Sequence, residues 1–145
     1  MESSTPSRDT ARAMSEENVE VVRAIYERFG EGNFRTSVDL LDPHIVFLMM
    51  QDAPDAEPYV GLEAVAAAMR GLFDTWADYT LQAEEFVPAG DSVIVSVRQQ
   101  GVARISGVPS DAHFFTIWSF RGRKVIRIEH FPGRPQALEA AGLQE

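Results

Sequence analysis

The second half of the chain alternates apolar and polar residues with a period of two, and this pattern constrains the fold most. Four such runs span residues 79–88, 92–106, 111–121 and 125–131. The segments between them, AGD, GVPS and GRK, are short and rich in turn-forming residues. Because short turns join antiparallel strands, the pattern predicts a four-stranded antiparallel meander. Gly101, within the second run, permits a bulge or bend that lets the sheet curl.

Two helices are predicted before the first strand. Ser15 is placed to cap the first helix, whose apolar residues recur at helical spacing as far as Phe29. Asn33 is placed to cap a short second helix, which Pro43 prevents from continuing. The first half of the domain is therefore expected to be mainly helical.

The remaining elements complete the order of the domain. Residues 44–51, HIVFLMMQ, are apolar on both faces and predict a buried strand. An apolar stripe predicts a third helix over residues 62–76, and PQALEAAG, residues 135–142, predicts a short terminal helix. Residues 1–14 show no apolar period and are expected to form a disordered tail, so that a single domain covers residues 15–145.

The order of these elements predicts an α+β fold. Helices that are apolar along one stripe must cover one face of the sheet, and a curled sheet closed by helices leaves a concave interior. That interior is the candidate site for a small apolar organic molecule.

Composition excludes several classes of function. The 22 acidic and 13 basic residues give a net charge of −9, which repels a phosphate backbone, so nucleic acid is not an expected partner. The absence of cysteine excludes disulfides and thiolate sites. No apolar run is long enough to span a membrane, and no signal peptide is recognised, so a cytoplasmic protein without a membrane partner is expected.

No cofactor or metal is expected either. The sequence contains no glycine-rich dinucleotide motif and no phosphate-binding loop. His44, His113 and His130 do not have the spacing of a chelating set, and the acidic segment DAPDAE lacks the ligand pattern of a calcium loop.

Four local phrases, together with the order of elements, resemble one known family. They are VVRAIYERFGEGN, YVGLEAVAAAMRGLF, GDSVIVSVRQQGVARISGVP and KVIRIEHFPGRPQALEAAGL. From about residue 15 to residue 143 the chain resembles the SnoaL-like branch of the nuclear transport factor 2-like (NTF2-like) superfamily. The resemblance implies a cone, in which a strongly curved antiparallel sheet wraps around helices and an apolar cavity. It also implies a homodimer formed through the outer face of the sheet.

The resemblance alone does not imply one reaction, because relatives with this fold place different groups in the same cavity. They include ketosteroid isomerase, scytalone dehydratase, limonene epoxide hydrolase and polyketide cyclases. Where ketosteroid isomerase carries its two aspartates, this chain has Leu48 and Thr116, and the isomerase tyrosine falls nearest Ile25 and Tyr26. The isomerase dyad is absent, so that reaction is not expected.

Residues of the predicted cavity wall come from several elements. Strand alternation together with the family pattern directs Phe114, Thr116 and Trp118 inward, and likewise Ile128 and His130. Simple core packing is the alternative explanation for such apolar stripes. The other predicted wall residues are Phe47, Met50, Met69, Phe73 and Trp76.

Three residues are candidates for chemistry. His130 can exchange a proton near neutral pH, Tyr26 can donate its hydroxyl to a ligand oxygen, and Asp52 can supply a carboxylate that polarises the imidazole or a water. Each has a structural alternative. The histidine can be packed against a backbone carbonyl, the tyrosine can belong to the core, and the aspartate can lie in a solvated loop.

Arg98 and Gln100 share one face of their strand. If that face lines the cavity, they can hold a carbonyl or carboxylate of the ligand. If it points outward, they belong to the polar rim of a dimer. The sequence leaves both open.

Three functional hypotheses follow. The first is a cofactor-free isomerase, cyclase, dehydratase or hydrolase that acts on a small apolar ring compound. The second is a ligand-binding protein without catalysis, and the third is a homodimeric interaction module.

Overall fold

The structure is a computed structural model that describes residues 8–30, 38–48 and 57–143. These residues form three helices and six strands. A single 3-10 turn, Val38–Leu40, precedes the first strand. The elements are α1 (Arg8–Gly30), β1 (Leu41–Leu48), β2 (Tyr59–Val60), α2 (Leu62–Thr75), β3 (Trp76–Ala89), β4 (Ser92–Ala103), β5 (Pro109–Arg121), β6 (Lys124–Phe131) and α3 (Arg134–Ala140).

The strands form one curved sheet in the order β2-β1-β6-β5-β4-β3. The predicted antiparallel meander is confirmed for β3 to β6. The prediction of an antiparallel sheet is wrong for one pair, because β1 runs parallel to β6. The chain between these two strands passes through α2 and the whole meander, and such a long connection allows a parallel return. The α+β architecture is therefore as expected, but the sheet is mixed.

The main core lies between the helices and the inner face of the sheet. On α1, the buried residues Val22, Ile25 and Phe29 recur at helical spacing and pack toward β3 and β4. Val93, Val95 and Val97 are fully buried beneath them, because alternate residues of a strand share one face. This core fixes which face of β4 and β5 is the inner one.

A second, smaller core covers part of the opposite face of the sheet. Ile94, Ile117 and Phe131 pack there against Ala137 of α3. Pro135 lies in the first turn of that helix, where a missing N–H costs no helical hydrogen bond. The short terminal helix is therefore held by apolar contacts on the outer face of the sheet.

The first helix begins at Arg8, seven residues before the predicted start at Ser15. Alanine, arginine and methionine favour helix, and the segment RDTARAM contains five such residues. Ser15 does not act as a cap, because its hydroxyl donates to the carbonyl of Gly90 at 3.3 Å. Residues 1–7 of the predicted tail lie outside the described residues.

Other element boundaries also differ from the prediction. Asn33, the expected cap of a second helix, lies outside the described residues, whereas Leu41 begins β1 rather than continuing a helix. Trp76 belongs to β3 rather than to α2, since it pairs with Ala103 of β4. Residues Tyr59–Val60 form β2, a short strand that the sequence did not predict and that pairs antiparallel with β1.

Gly101 lies opposite a bulge in β3. Between the pairs Ala77↔Val102 and Thr80↔Gln100, two residues of β3 face one residue of β4. A Cβ at Gly101 would lie 3.2 Å from the ring of Tyr79. The irregularity expected at Gly101 is thus carried by the partner strand, and the glycine makes room for an aromatic ring.

None of the helices in the described ranges is long and apolar enough to cross a lipid bilayer.

Replacing Gly101 with alanine is expected to destabilise the fold. The added methyl would also lie 3.3 Å from Cβ of Trp76. Overpacking of this kind lowers the free energy of unfolding by about 1–3 kcal/mol. Thermal denaturation should therefore show a melting temperature lower by several degrees.

Gly71→Ala is the matched control, because Gly71 lies on the exposed face of α2 and a Cβ there meets no atom within 4 Å. This variant is expected to raise the free energy of unfolding by up to about 1 kcal/mol, since alanine favours helix. A Gly101→Ala protein as stable as the wild type would contradict the close packing at the bulge.

Candidate functional site

A pocket of about 300 Å³ lies between α1, α2 and the inner face of the sheet. Its walls are mainly aromatic and aliphatic side chains. The residues that line it are Tyr26, Phe29, Phe47, Met69, Phe73, Trp76, Tyr79, Leu81, Gln99, Ala112, His113, Phe114, Thr116, Trp118, Ile128 and His130.

Most residues proposed from the sequence meet at this pocket. Tyr26 and His130 lie there, although on different elements and 104 positions apart in sequence. Asp52 and Met50 lie outside the described residues. The predicted wall residues found at the pocket are Phe47, Met69, Phe73, Trp76, Phe114, Thr116, Trp118 and Ile128.

The structure places Arg98 and Gln100 away from the pocket. Nη2 and Nε of Arg98 donate to the carboxylate of Asp111 at 2.8 and 3.1 Å, and Gln100 donates to the same carboxylate at 3.4 Å. The Arg98 hydrogen bond lowers the pKa of Asp111. Because Val97 is buried in the main core, alternation turns its neighbour Arg98 to the other face of β4. These two side chains therefore do not hold a ligand in this pocket.

Several lining residues were not predicted from the sequence. Gln99 and Ala112 line the pocket, although the sequence analysis did not place them there. The valines of β4 indicate which face of that strand is buried, and Gln99 lies on the same face. Tyr79 and Leu81 alternate on β3 in the same way. The hydroxyl of Tyr79 donates to Oε1 of Gln99 at 2.7 Å, and burial raises the pKa of this tyrosine. The pair forms a polar patch in which the Tyr79 hydroxyl and Oε1 of Gln99 satisfy each other.

His130 lies between two aromatic rings at the pocket wall. Its ring centroid is 5.0 Å from that of Phe47 and 5.6 Å from that of Phe114. Nδ1 is 2.8 Å from the carbonyl oxygen of Leu48. Since a carbonyl accepts only, Nδ1 must carry the proton, and the neutral ring keeps Nε2 as a hydrogen-bond acceptor. His130 therefore lies at the pocket, as predicted. It also makes the hydrogen bond to a backbone carbonyl that was the structural alternative.

The environment of His130 favours the neutral imidazole. Burial lowers its pKa, and the hydrogen bond to Leu48 opposes this only in part. The described residues give Nε2 no hydrogen-bond partner. At neutral pH the ring can therefore accept a proton or a hydrogen bond from a molecule in the pocket.

Tyr26 connects helix α1 to the sheet. Its ring meets Trp118 edge to face at 5.8 Å, and Nε1 of Trp118 donates to the Tyr26 hydroxyl at 3.3 Å. Burial raises the pKa of Tyr26 to about 12, with the Trp118 N–H acting in the opposite direction. The hydroxyl therefore stays protonated at neutral pH and can act as a donor.

Thr116 carries a buried polar atom without a partner. The Thr116 side chain is 1% exposed, and its Oγ1 makes no hydrogen bond of ordinary geometry. Thr116 is nevertheless close enough to the Tyr26 hydroxyl to lower the pKa of Tyr26. Leaving a buried hydroxyl unsatisfied costs about 1–3 kcal/mol. Such atoms are rare in native proteins and call for an explanation, which a molecule in the pocket would provide.

The described lining of the pocket contains no side chain that is always charged at neutral pH. Aspartate, glutamate, lysine and arginine are absent from that set, and His113 directs its Nε2 to Glu84 at 3.0 Å. Within the described ranges no three histidine or acidic side chains come together as a metal would require.

The buried position of His130 predicts how it titrates. We expect an NMR titration to give a pKa below the ordinary value of about 6.5, with the neutral ring protonated at Nδ1. Folding disfavours the protonated ring, so the unfolded chain binds this proton more readily. Stability is then lost as the pH falls below about 6.5.

His130→Asn removes the titrating group while keeping a donor near Leu48. This variant should lose less stability than the wild type between pH 7.5 and 5.5. A His130 pKa at or above about 6.5, or a proton on Nε2 in the neutral ring, would show that this description of the site is wrong.

Comparison with known proteins identifies the fold. The chain is similar to a putative SnoaL-like polyketide cyclase from Jannaschia sp. CCS1, with 18% identity over 99% of this chain and 100% of the other and a TM-score of 0.74. It is also similar to an NTF2-like protein from Burkholderia thailandensis E264, with 22% identity, 88% and 98% coverage and a TM-score of 0.71. TerC, solved with polyporic acid, has 17% identity, 87% and 98% coverage and a TM-score of 0.68.

These identities establish a shared fold and nothing finer. No curated protein matches the chain in sequence. The sequence model of the SnoaL-like domain family matches residues 22–128, which is most of the chain. The chain therefore belongs to the SnoaL-like domain family, and its fold is that of the NTF2-like proteins.

Proposed function

We propose that the chain binds a small, uncharged ring compound in the pocket described above. The observation that carries the proposal is a pocket of about 300 Å³ with mainly aromatic walls and no acidic or basic side chain other than histidine among its described lining. An apolar cavity of about 150 Å³ accommodates benzene. Twice that volume suits a compound of about two rings.

The shape of the walls supports a flat ligand. Phe73 meets Tyr79 edge to face at 5.2 Å, and Trp76 stacks on the same ring at 6.2 Å. Aromatic side chains have few rotatable bonds, so walls built from them keep their shape and favour ring-shaped partners. The similarity to a putative polyketide cyclase and to TerC, which was crystallised with polyporic acid, agrees with an organic ligand.

We further propose that the ligand is a substrate for cofactor-free isomerisation, cyclisation, dehydration or hydrolysis. His130 lines the pocket, and its neutral ring, with Nδ1 bonded to Leu48, keeps an unprotonated Nε2, as a general base near neutral pH requires. Tyr26 is the accompanying hydroxyl donor, able to stabilise charge that develops on a ligand oxygen. No acidic partner for His130 is needed to fix its tautomer, since Leu48 does so.

One observation favours a second candidate, a binding protein without catalysis. His130 is oriented by a backbone carbonyl, and no described carboxylate lines the pocket to stabilise a protonated imidazole. The two candidates differ in the His130→Asn variant. An enzyme would lose turnover of its substrate while retaining much of its affinity, whereas a binding protein has no turnover to lose.

A thermal-shift experiment tests binding without assuming a reaction. We expect stabilisation by two-ring probes such as 2-naphthol, and none by a four-ring steroid, which exceeds the volume of the pocket. A ligand at 100 times its Kd stabilises by about 2.7 kcal/mol, and each kcal/mol raises Tm by about 2–4 °C in a protein of this size.

Ala112→Phe places a larger side chain at the pocket wall and should abolish the shift, whereas Gln82→Phe, at an exposed position of β3, should preserve it. Shifts that are equal in both variants would locate binding elsewhere on the protein. Absence of any shift with the two-ring probes in the wild type would refute the proposal.

A further inference from the structure

Two polar side chains face each other across neighbouring strands inside the pocket. Thr116 of β5 and His130 of β6 are direct partners in the register, and both line the pocket. Side chains paired in this way have Cβ atoms about 4.5–5.5 Å apart. The two side chains therefore border the same part of the pocket.

The hydrogen-bonding capacity of this pair is specific. Nδ1 of His130 is occupied by Leu48, which leaves Nε2 as an acceptor. Oγ1 of Thr116 is buried and makes no hydrogen bond of ordinary geometry, although the Tyr26 hydroxyl lies close to it, so the Thr116 hydroxyl can turn to a ligand as a donor. The pair thus requires a group that donates one hydrogen bond and accepts another.

We infer that the ligand of this pocket is an uncharged ring compound with a hydroxyl group, which lies between Thr116 and His130. The O–H of the ligand donates to Nε2 of His130, and its oxygen accepts from Oγ1 of Thr116. The inference rests on the proposed function, because it names the chemical class of the molecule in the same pocket.

Other oxygen-containing groups fit this pair less well. A carbonyl or ether oxygen can accept from Thr116 but gives Nε2 nothing to accept. A carboxylate would enter a site in which the described lining has no arginine or lysine, and burying an unpaired charge is strongly unfavourable. A phenol or alcohol satisfies both protein atoms at once.

The test compares 2-naphthol with 2-methylnaphthalene, in which a methyl group of similar size replaces the hydroxyl, by titration calorimetry. We expect the wild type to bind 2-naphthol at least about tenfold more tightly, the effect of about one well-placed hydrogen bond. The charged 2-naphthoate should not bind measurably at the same concentrations.

Two variants separate hydrogen bonding from packing. Thr116→Val keeps the shape of the side chain and should reduce the preference for 2-naphthol at least about fivefold, while affinity for 2-methylnaphthalene stays unchanged. Thr116→Ser restores a hydroxyl and should restore the preference. A reduced affinity for both probes in Thr116→Val, in proportion, would assign Thr116 to packing and overturn the inference.

The outcomes also distinguish this inference from the proposed function. Equal binding of 2-naphthol and 2-methylnaphthalene by the wild type would overturn the hydroxyl inference and leave ring binding intact. Failure of both to bind would overturn the proposed function, and the inference with it.

Discussion

The contact between Tyr26 of α1 and Trp118 of β5 joins the first helix to the inner face of the sheet, and the pocket is formed around it. The two rings meet edge to face, and the indole N–H is satisfied by the tyrosine hydroxyl. Both side chains are almost fully buried, so each polar group needs a partner. Apolar packing therefore positions the helix, and one internal hydrogen bond makes that packing specific.

Around this contact, the pocket combines apolar walls with a small number of polar atoms. The Tyr79 hydroxyl donates to Oε1 of Gln99, and Nδ1 of His130 donates to the carbonyl of Leu48. Oγ1 of Thr116 makes no hydrogen bond of ordinary geometry, and the described residues give Nε2 of His130 no partner. Binding energy would come mainly from the aromatic walls, whereas selectivity would come from these two atoms.

The meander could be predicted from the sequence because alternation is a local property that neighbouring residues reveal. The parallel pairing of β1 with β6 could not, since it depends on how a long connection returns to the sheet. The alternation along β4 also places Arg98 and Gln99 on opposite faces of the strand, but it does not show which of the two faces is buried. The fully buried valines of β4 provide that information, and Gln99 follows them to the inner face. The position of His130 beside Leu48 is likewise a product of tertiary structure.

Intermolecular NOEs measure most directly whether the pocket is the ligand site. With 2-naphthol bound, we expect NOEs from its ring protons to the side chains of Ile128 and Met69, which line the pocket. Ile117, buried in the second core on the opposite face of the sheet, should show none. NOEs to Ile117 instead of Ile128 would contradict binding between the helices and the inner face.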